Sequence, residues 1–270
     1  MNQEFNPTDP FFNILSTQES AQLKRSVDRA NRPKSTPKPN TIKVYDGPSM
    51  LDGAPIIVLV TGLKKSSANT KTGNMIQTWI MPKDTPPNEA IKTGKDSSVC
   101  GQCPLRPLLW KAAKVKLSKK PCYVKVWQAP LSTWKANKDL PVTNMVTARA
   151  LIGGRILRRG SWGDPAAVPS HVWDALEDVK GTGYTHQWED HDLSSHVMAS
   201  VHSLEERAQA MAKGYRTFRI IADVAEVTKG EILCPASKEA GARTQCAKCN
   251  LCNGSKGSTD NRKTIAIVAH

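Results

Sequence analysis

The chain has 270 residues, 39% of them hydrophobic and 23% charged, which is ordinary for a globular protein with a core of normal size. It contains no run of about 18 apolar residues, so we expect no transmembrane helix and no membrane partner. The formal net charge of +14 favours a polyanionic partner, with nucleic acid as the first candidate.

Residues 1–40 are predicted to form an arm that is flexible or helical. The segment STQESAQLKRSVDRANR predicts one amphipathic helix with Ser16 or Thr17 as its N-cap, and the three prolines of PKSTPKPN then end regular structure. The first residues lack the basic and apolar regions of a secretory signal. We therefore expect a cytoplasmic location, where cysteines serve more often as metal ligands or catalytic groups than in disulfides.

Residues 41–270 are predicted to form a single α/β metal-binding domain. Strands are predicted at 41–47, 54–63, 75–81, 121–130, 148–160, 182–188, 196–201, 215–224 and 263–270, and helices at 104–117, 169–179 and 203–214. This alternation favours βαβ units and a mainly parallel sheet, either a closed or partial (β/α) barrel of the TIM type or, as the alternative, an open α/β sheet. No glycine-rich dinucleotide fingerprint follows a strand, which disfavours a Rossmann fold.

The seven cysteines fall into two groups that contain C-x2-C steps among turn residues. The first cysteine group is Cys100, Cys103 and Cys122, and the second cysteine group is Cys234, Cys246, Cys249 and Cys252. Structural cysteines scatter among buried positions. This clustering instead predicts metal ligands, with the second group forming a loop at residues 234–252.

The identity of the metal is left open by the spacing. A C-x2-C-x2-C triple with a remote Cys-Pro is typical of ferredoxin-type iron–sulfur ligation, whereas structural zinc usually has two facing C-x2-C hooks. The first group has three thiols, so one of the six histidines could complete a zinc site. Alternatively, three thiols could bind a cluster with one open iron, as used for radical chemistry on S-adenosylmethionine, or could remain without metal or join the second group.

The chain resembles a set of uncharacterised bacteriophage and plasmid proteins, which are similar in turn to phage proteins with radical-SAM-like barrels. The shared features are Cys100, Cys103, Cys122 with Tyr123, Gly163 with Asp164, and Cys234 to Cys252, over roughly residues 55–270. The resemblance implies a mobile-element origin and therefore a bacterial host cell. Separately, the N-terminal arm could contact a host or phage protein. Radical-SAM proteins have C-x3-C-x2-C on one loop, whereas this chain spreads its first group over residues 100–122.

Four further residues are candidates for the site because they follow predicted strands. Asn69 and Lys71 come after a buried strand and could bind a cofactor phosphate, since ligands bind at the carboxyl ends of parallel strands, and Lys71 could alternatively contact a nucleic-acid backbone. Asp164 and His186 also end strands and are candidate catalytic residues. Asp164 could alternatively cap the turn before Pro165.

Basic residues suggest where nucleic acid would bind. Residues 41–130 hold 14 lysine and arginine residues against five acidic ones. Lys111 and Lys114 are predicted on the solvent face of a helix, and Arg155 and Arg158 could contact phosphates.

Two functions remain open at this stage. One is an iron–sulfur, radical-SAM-like or redox enzyme that acts on or near nucleic acid. The alternative is a non-catalytic nucleic-acid-binding protein, for replication or anti-defence, in which zinc only stabilises loops.

Overall fold

The computed structural model describes residues 17–31, 39–65, 69–109 and 122–269. The chain divides into two units, residues 1–37 and residues 38–270. In the first unit, helix α1 spans Thr17–Asn31, so the predicted helix of the arm is confirmed.

The second unit is built on one sheet of nine strands in the described residues. Its strands are β1 (Thr41–Pro48), β2 (Pro55–Thr61), β3 (Ile76–Pro82), β4 (Leu157–Trp162), β5 (Gly181–Thr185), β6 (Met198–Val201), β7 (Thr217–Ile221), β8 (Glu231–Leu233) and β9 (Thr264–Val268). Their order is β1-β2-β3-β4-β5-β6-β7-β9-β8. The first three strands pair antiparallel, and all later pairs are parallel. The predicted α/β class and mainly parallel sheet are therefore confirmed. Hydrogen bonds among the described residues do not close the sheet.

Short helices connect the strands. They are α2 (Pro87–Thr93), α3 (Ser97–Cys100), α4 (Ala129–Asn137), α5 (Met145–Ile152), α6 (Ser170–Asp174), α7 (Leu204–Ala212) and α8 (Cys246–Cys249). Helix α7 begins as predicted, because the Ser203 hydroxyl accepts a hydrogen bond from the Glu206 backbone at 3.0 Å. The Glu206 carboxylate reaches back to the His202 backbone N–H rather than to that of Ser203, at 2.6 Å.

One predicted strand, at 121–130, is wrong, and the strand predicted at 148–160 is correct only from Leu157, where β4 begins. Residues 122–125 form no regular element, and α4 begins at Ala129 because Pro130 suits the first turn of a helix. The first part of the strand predicted at 148–160 belongs to α5, because the Asn144 side chain accepts a hydrogen bond from the Thr147 N–H at 2.9 Å and caps that helix. The helix predicted at 104–117 lies mostly outside the described residues.

The core packs around β2. Residues 56–60 of this strand are fully buried, which agrees with its uninterrupted apolar sequence. Later in the chain, Trp173 of α6 is also fully buried, and its indole N–H donates a hydrogen bond to the Pro165 carbonyl at 2.9 Å. This core supports the strands whose opposite face lines the candidate site.

A buried ion pair joins β7 to β8. Arg219 donates to both carboxylate oxygens of Glu231, at 2.8 and 2.7 Å. Burial alone would raise the pKa of Glu231, but hydrogen bonds from Arg219 and Thr228 lower it to about 2. The ionised carboxylate is thus favoured in the folded state.

We expect this pair to make the protein acid-sensitive. Because the folded pKa of Glu231 lies below its ordinary 4.5, its contribution to stability is complete above about pH 4.5 and is lost as the pH falls toward 2. The difference between the urea unfolding midpoints of the wild type and Glu231→Gln should therefore be full at pH 7 and clearly smaller at pH 3, with convergence only near pH 2. A difference between the two midpoints that stays constant from pH 7 to pH 3 would contradict this role of the Glu231 carboxylate.

Candidate metal centre

All seven cysteines line one cavity of about 460 Å³. Strand residues also line it: Arg158, Gly160 and Trp162 on β4, Thr182 and Tyr184 on β5, Ser200 on β6, Phe218 and Ile220 on β7, and Ile265 and Ile267 on β9. On β5 and β7 the lining residues alternate, so they belong to one face of the sheet, whereas β4 is irregular at Gly160 and its Ser161 also lines the cavity. Since five neighbouring strands share one cavity, this face is concave. The volume lies within the range of about 300–1,000 Å³ that small-molecule sites occupy.

The first cysteine group lies at the carboxyl ends of β4 and β5. Asp164 follows β4 and donates its backbone N–H to the Val99 carbonyl in α3 at 2.6 Å. His186 follows β5, and its Nε2 lies 3.9 Å from Cys103 Sγ. This is the edge of a parallel sheet at which α/β proteins bind their ligands.

A buried ion pair positions the loop that carries Cys100 and Cys103. Arg106 donates to both oxygens of Asp96, each at 2.8 Å, and its Nη1 donates to the Gly101 carbonyl at 2.7 Å. Asp96 and Arg106 are both buried. The sequence did not predict this ion pair, because the two residues are ten positions apart. Only the C-x2-C step between them indicates that the loop matters.

Gln187 supports the same loop from β5. Its side-chain amide donates to the Cys100 carbonyl at 3.2 Å and accepts from the Gln102 N–H at 3.1 Å. Gly101 has a φ of +52°, and a Cβ there would approach the Gln187 amide oxygen to 2.4 Å. Glycine is therefore required at the turn between the two cysteines.

The second cysteine group reaches the cavity from the opposite edge. Cys246 donates its backbone N–H to the Lys71 carbonyl at 2.9 Å, in the loop that leads into β3. Ser255, just after Cys252, donates to the Ser194 carbonyl at 2.6 Å, ahead of β6. These contacts place residues 246–255 at the amino ends of the parallel strands.

Asn69 and Lys71 both line the cavity, but at the edge opposite to the one expected. The expectation about the edge was wrong because β2 runs antiparallel to β3, so the end of β2 lies at the amino ends of the parallel strands. Gly73 in this loop has a φ of +68°, and a Cβ there would approach the Gln245 side chain to 2.9 Å. The loop therefore supports the second cysteine group directly.

Buried polar contacts also hold the segment after Cys252. Arg216 donates to the carbonyls of Leu251 at 2.6 Å and Lys263 at 2.7 Å. Gly254 packs so closely that a Cβ would lie 2.1 Å from the Ser195 carbonyl oxygen. The second group is thus set in a loop with little freedom to move.

Burial keeps most of the thiols protonated. It raises the pKa of six of them: Cys100, Cys103, Cys122, Cys234, Cys246 and Cys252, the last to about 12. Protonated thiols are poor nucleophiles, which argues against cysteine catalysis. A bound metal cation would favour the thiolate and release the proton.

Two cations and one phenol face the second group. Burial raises the pKa of Cys246, while the nearby charges of Arg158 and Lys71 oppose that effect. The Tyr184 side chain hydrogen bonds to Cys252. This end of the cavity is therefore prepared to stabilise negative charge on sulfur.

Asp164 and His186, the candidate catalytic residues, meet at the other end. The Asp164 carboxylate accepts from the Ala166 N–H at 3.0 Å and the His186 N–H at 2.8 Å, so it caps the turn Pro165–Ala167 after β4 and also lines the cavity. Burial and the stacked His202 ring, 5.4 Å away between centroids, lower the pKa of His186 to about 3. His186 is thus neutral at pH 7, the form that binds metals.

The candidate nucleic-acid contacts lie in different environments. Lys111 and Lys114 lie outside the described residues. Arg155 donates to the carbonyls of Gly62 at 2.5 Å and Asn74 at 2.7 Å, so its guanidinium stabilises loops. Arg158 faces the cavity.

Within the described ranges, no set of three or more His, Cys, Asp or Glu side chains is already arranged around a single ion. None of the helices described there is long and apolar enough to cross a membrane. Comparisons with protein-family models, curated proteins and solved structures gave no match.

Proposed function

We propose that the chain is an iron–sulfur enzyme of radical-SAM-like type, with its reactive centre at the first cysteine group and a second cluster at the second group. The observation that carries this proposal is the convergence of all seven cysteines on one cavity of small-molecule size. Loops that are merely stabilised by metal do not require such a cavity beside their ligands.

The spacing of the donors along the chain favours clusters over single ions, because a C-x2-C-x2-C triple with a remote Cys-Pro is typical of ferredoxin-type ligation. The thiols of the second group also influence one another electrostatically across the cavity.

The sheet supports a partial (β/α) barrel as the finer description of the fold. Parallel strands β3 to β7 follow chain order, and the concave face of β4 to β9 surrounds the cavity. In such barrels, chemistry takes place at the carboxyl ends of the strands, and the opposite end contributes stability. This division assigns the reactive role to the first group and the structural role to the second.

The residues around the first group have distinct tasks. Cys100, Cys103 and Cys122 would bind the cluster, which supplies one-electron chemistry on S-adenosylmethionine when bound. Three thiols leave one ligand position for a small molecule. Asp164 orients the backbone of His186, and the apolar wall of the cavity excludes water from this end.

A second candidate function rests on the contact between Cys103 and His186. The 3.9 Å separation suits a zinc site of three cysteines and one histidine. In that case the protein would be a non-catalytic nucleic-acid-binding protein with structural zinc.

Nucleic acid remains the proposed partner for either function. The support is the net charge of +14 and an exposed stripe after Cys122, in which Tyr123 and Trp127 are 64% and 58% exposed on either side of Lys125. Aromatic side chains beside a cation form a platform on which unpaired bases stack.

Metal analysis of cysteine variants tests the proposal. We expect Cys122→Ser and Cys249→Ser, purified without oxygen, each to lose iron and sulfide from its own group while retaining those of the other. Zinc in stoichiometric amount, with no iron and no visible absorbance, would instead support the non-catalytic function.

A further inference from the structure

We propose that Arg158, held by Tyr123, forms a subsite for the carboxylate or phosphate group of a small molecule bound in the cavity. The inference rests on the proposed function for the role of the cavity as a ligand site. It goes further by naming the chemical class of the ligand.

Arg158 is a cation inside the cavity with most of its hydrogen-bonding capacity unused. It lies on the concave face of β4, and its Nη2 donates to the Tyr123 hydroxyl at 2.5 Å. Arginine has five N–H donors. Among the described residues, no carboxylate pairs with this guanidinium, and Tyr123 is its one hydrogen-bond partner.

The four buried arginines among the residues that the structure describes differ from Arg158, which is half-buried. Arg106 pairs with Asp96, and Arg219 pairs with Glu231. Arg216 and Arg159 donate to backbone carbonyls, as described for Arg216 above and at 3.0 Å to Val179 for Arg159. The donors of Arg158 that no described protein group uses are therefore available to a ligand in the cavity.

The charge of the cavity favours an anion. Lys71 is the second cation on its wall, and its ammonium group makes no ion pair with the described residues. Asp164 is the one carboxylate among the described lining residues, and both its oxygens already accept backbone hydrogen bonds. An anionic group would therefore meet two cations without a competing carboxylate.

The position of Arg158 suggests how the ligand lies. Arg158 pairs with Gln77 of β3 and Trp162 pairs with Trp79, so the irregularity in β4 leaves only about 7 Å of strand between the two positions. A molecule of nucleotide size could thus bind its anionic group at Arg158 and extend toward the first cysteine group. Phe218 and Ile265 provide apolar wall between these ends. A guanidinium binds carboxylate or phosphate through two parallel hydrogen bonds.

Three probes that share one nucleoside test the subsite. Adenosine is neutral, adenosine 5′-monophosphate adds a phosphate, and S-adenosylhomocysteine adds an amino-acid group in which a carboxylate stands beside an ammonium. Isothermal titration calorimetry on the full chain should show that at least one of the two probes with an anionic group binds at least 10-fold more tightly than adenosine. Arg158→Gln should weaken that probe about 10- to 100-fold and leave adenosine unchanged.

Matched variants separate a subsite from a folding defect. Arg158→Lys keeps the positive charge but loses the planar pair of N–H donors. We therefore expect a loss of affinity for the preferred probe that is smaller than in Arg158→Gln. Arg149→Gln alters an exposed arginine paired with Asp178 and should bind all probes as the wild type does. Circular dichroism should be the same for all variants.

The outcomes also distinguish this inference from the proposed function. Probes with an anionic group that bind no more tightly than adenosine, or that keep their advantage in Arg158→Gln, would overturn the subsite even in a protein that contains iron. An advantage that depends on Arg158 in a protein without iron would support the subsite and refute the iron–sulfur function. Tighter binding of adenosine 5′-monophosphate would indicate that the ligand carries a phosphate, and tighter binding of S-adenosylhomocysteine would indicate that it carries a carboxylate.

Discussion

Arg106→Ala is expected to lower the free energy of unfolding by about 3–5 kcal/mol, because it leaves the buried Asp96 carboxylate without its partner. The same change removes the hydrogen bond to the Gly101 carbonyl, so the loop with Cys100 and Cys103 loses its support. Urea unfolding measures the first effect, and the iron content of the first cysteine group measures the second.

Arg149→Ala is the matched control for this prediction. Arg149 pairs with Asp178 on the surface, with side chains 47% and 57% exposed, so its loss should change the free energy of unfolding by about 1 kcal/mol or less. Equal effects of the two substitutions would show that the Arg106–Asp96 pair does not stabilise the first cysteine group.

Gly254→Ala is expected to destabilise the fold by about 1–3 kcal/mol or more and to displace the second cysteine group. An added Cβ would lie 2.1 Å from the Ser195 carbonyl oxygen, so the backbone on one side must shift. Both segments belong to the loops that bring Cys252 to the cavity. Urea unfolding and iron analysis should therefore both detect the change.

Gly154→Ala is the control, because a Cβ at Gly154 meets no atom within 4 Å and its φ lies outside the left-handed region. It should unfold at nearly the wild-type urea concentration and keep its iron. A Gly254→Ala protein that behaves in the same way would contradict the tight packing of the second group.

Local patterns in the sequence were enough to predict much of the fold. The apolar run of β2 and the N-cap at Ser203 both depend only on residues that are close in the chain, and the structure confirms both. The strand predicted at 121–130 failed because alternation of Val124 and Val126 resembles a strand, whereas Pro130 in fact begins a helix. Strand β8 was missed because it has only three residues, too few to show a period.

The arrangement of the site depended on information that local patterns do not contain. The loop of Asn69 and Lys71 lies beside the second cysteine group because β2 and β3 are antiparallel, which sequence alternation cannot reveal. The neutral state of His186 depends on burial and on His202, which is 16 positions later in the chain and stacks on it. The pairing of Arg158 with Tyr123 likewise joins residues 35 positions apart.

Determination of iron, acid-labile sulfide and zinc per chain in protein purified without oxygen tests the central claim most directly. We expect iron and sulfide in nearly equal amounts, enough for a cluster at each end of the cavity, with a brown colour and little zinc. A colourless protein with stoichiometric zinc and no sulfide would contradict the iron–sulfur function.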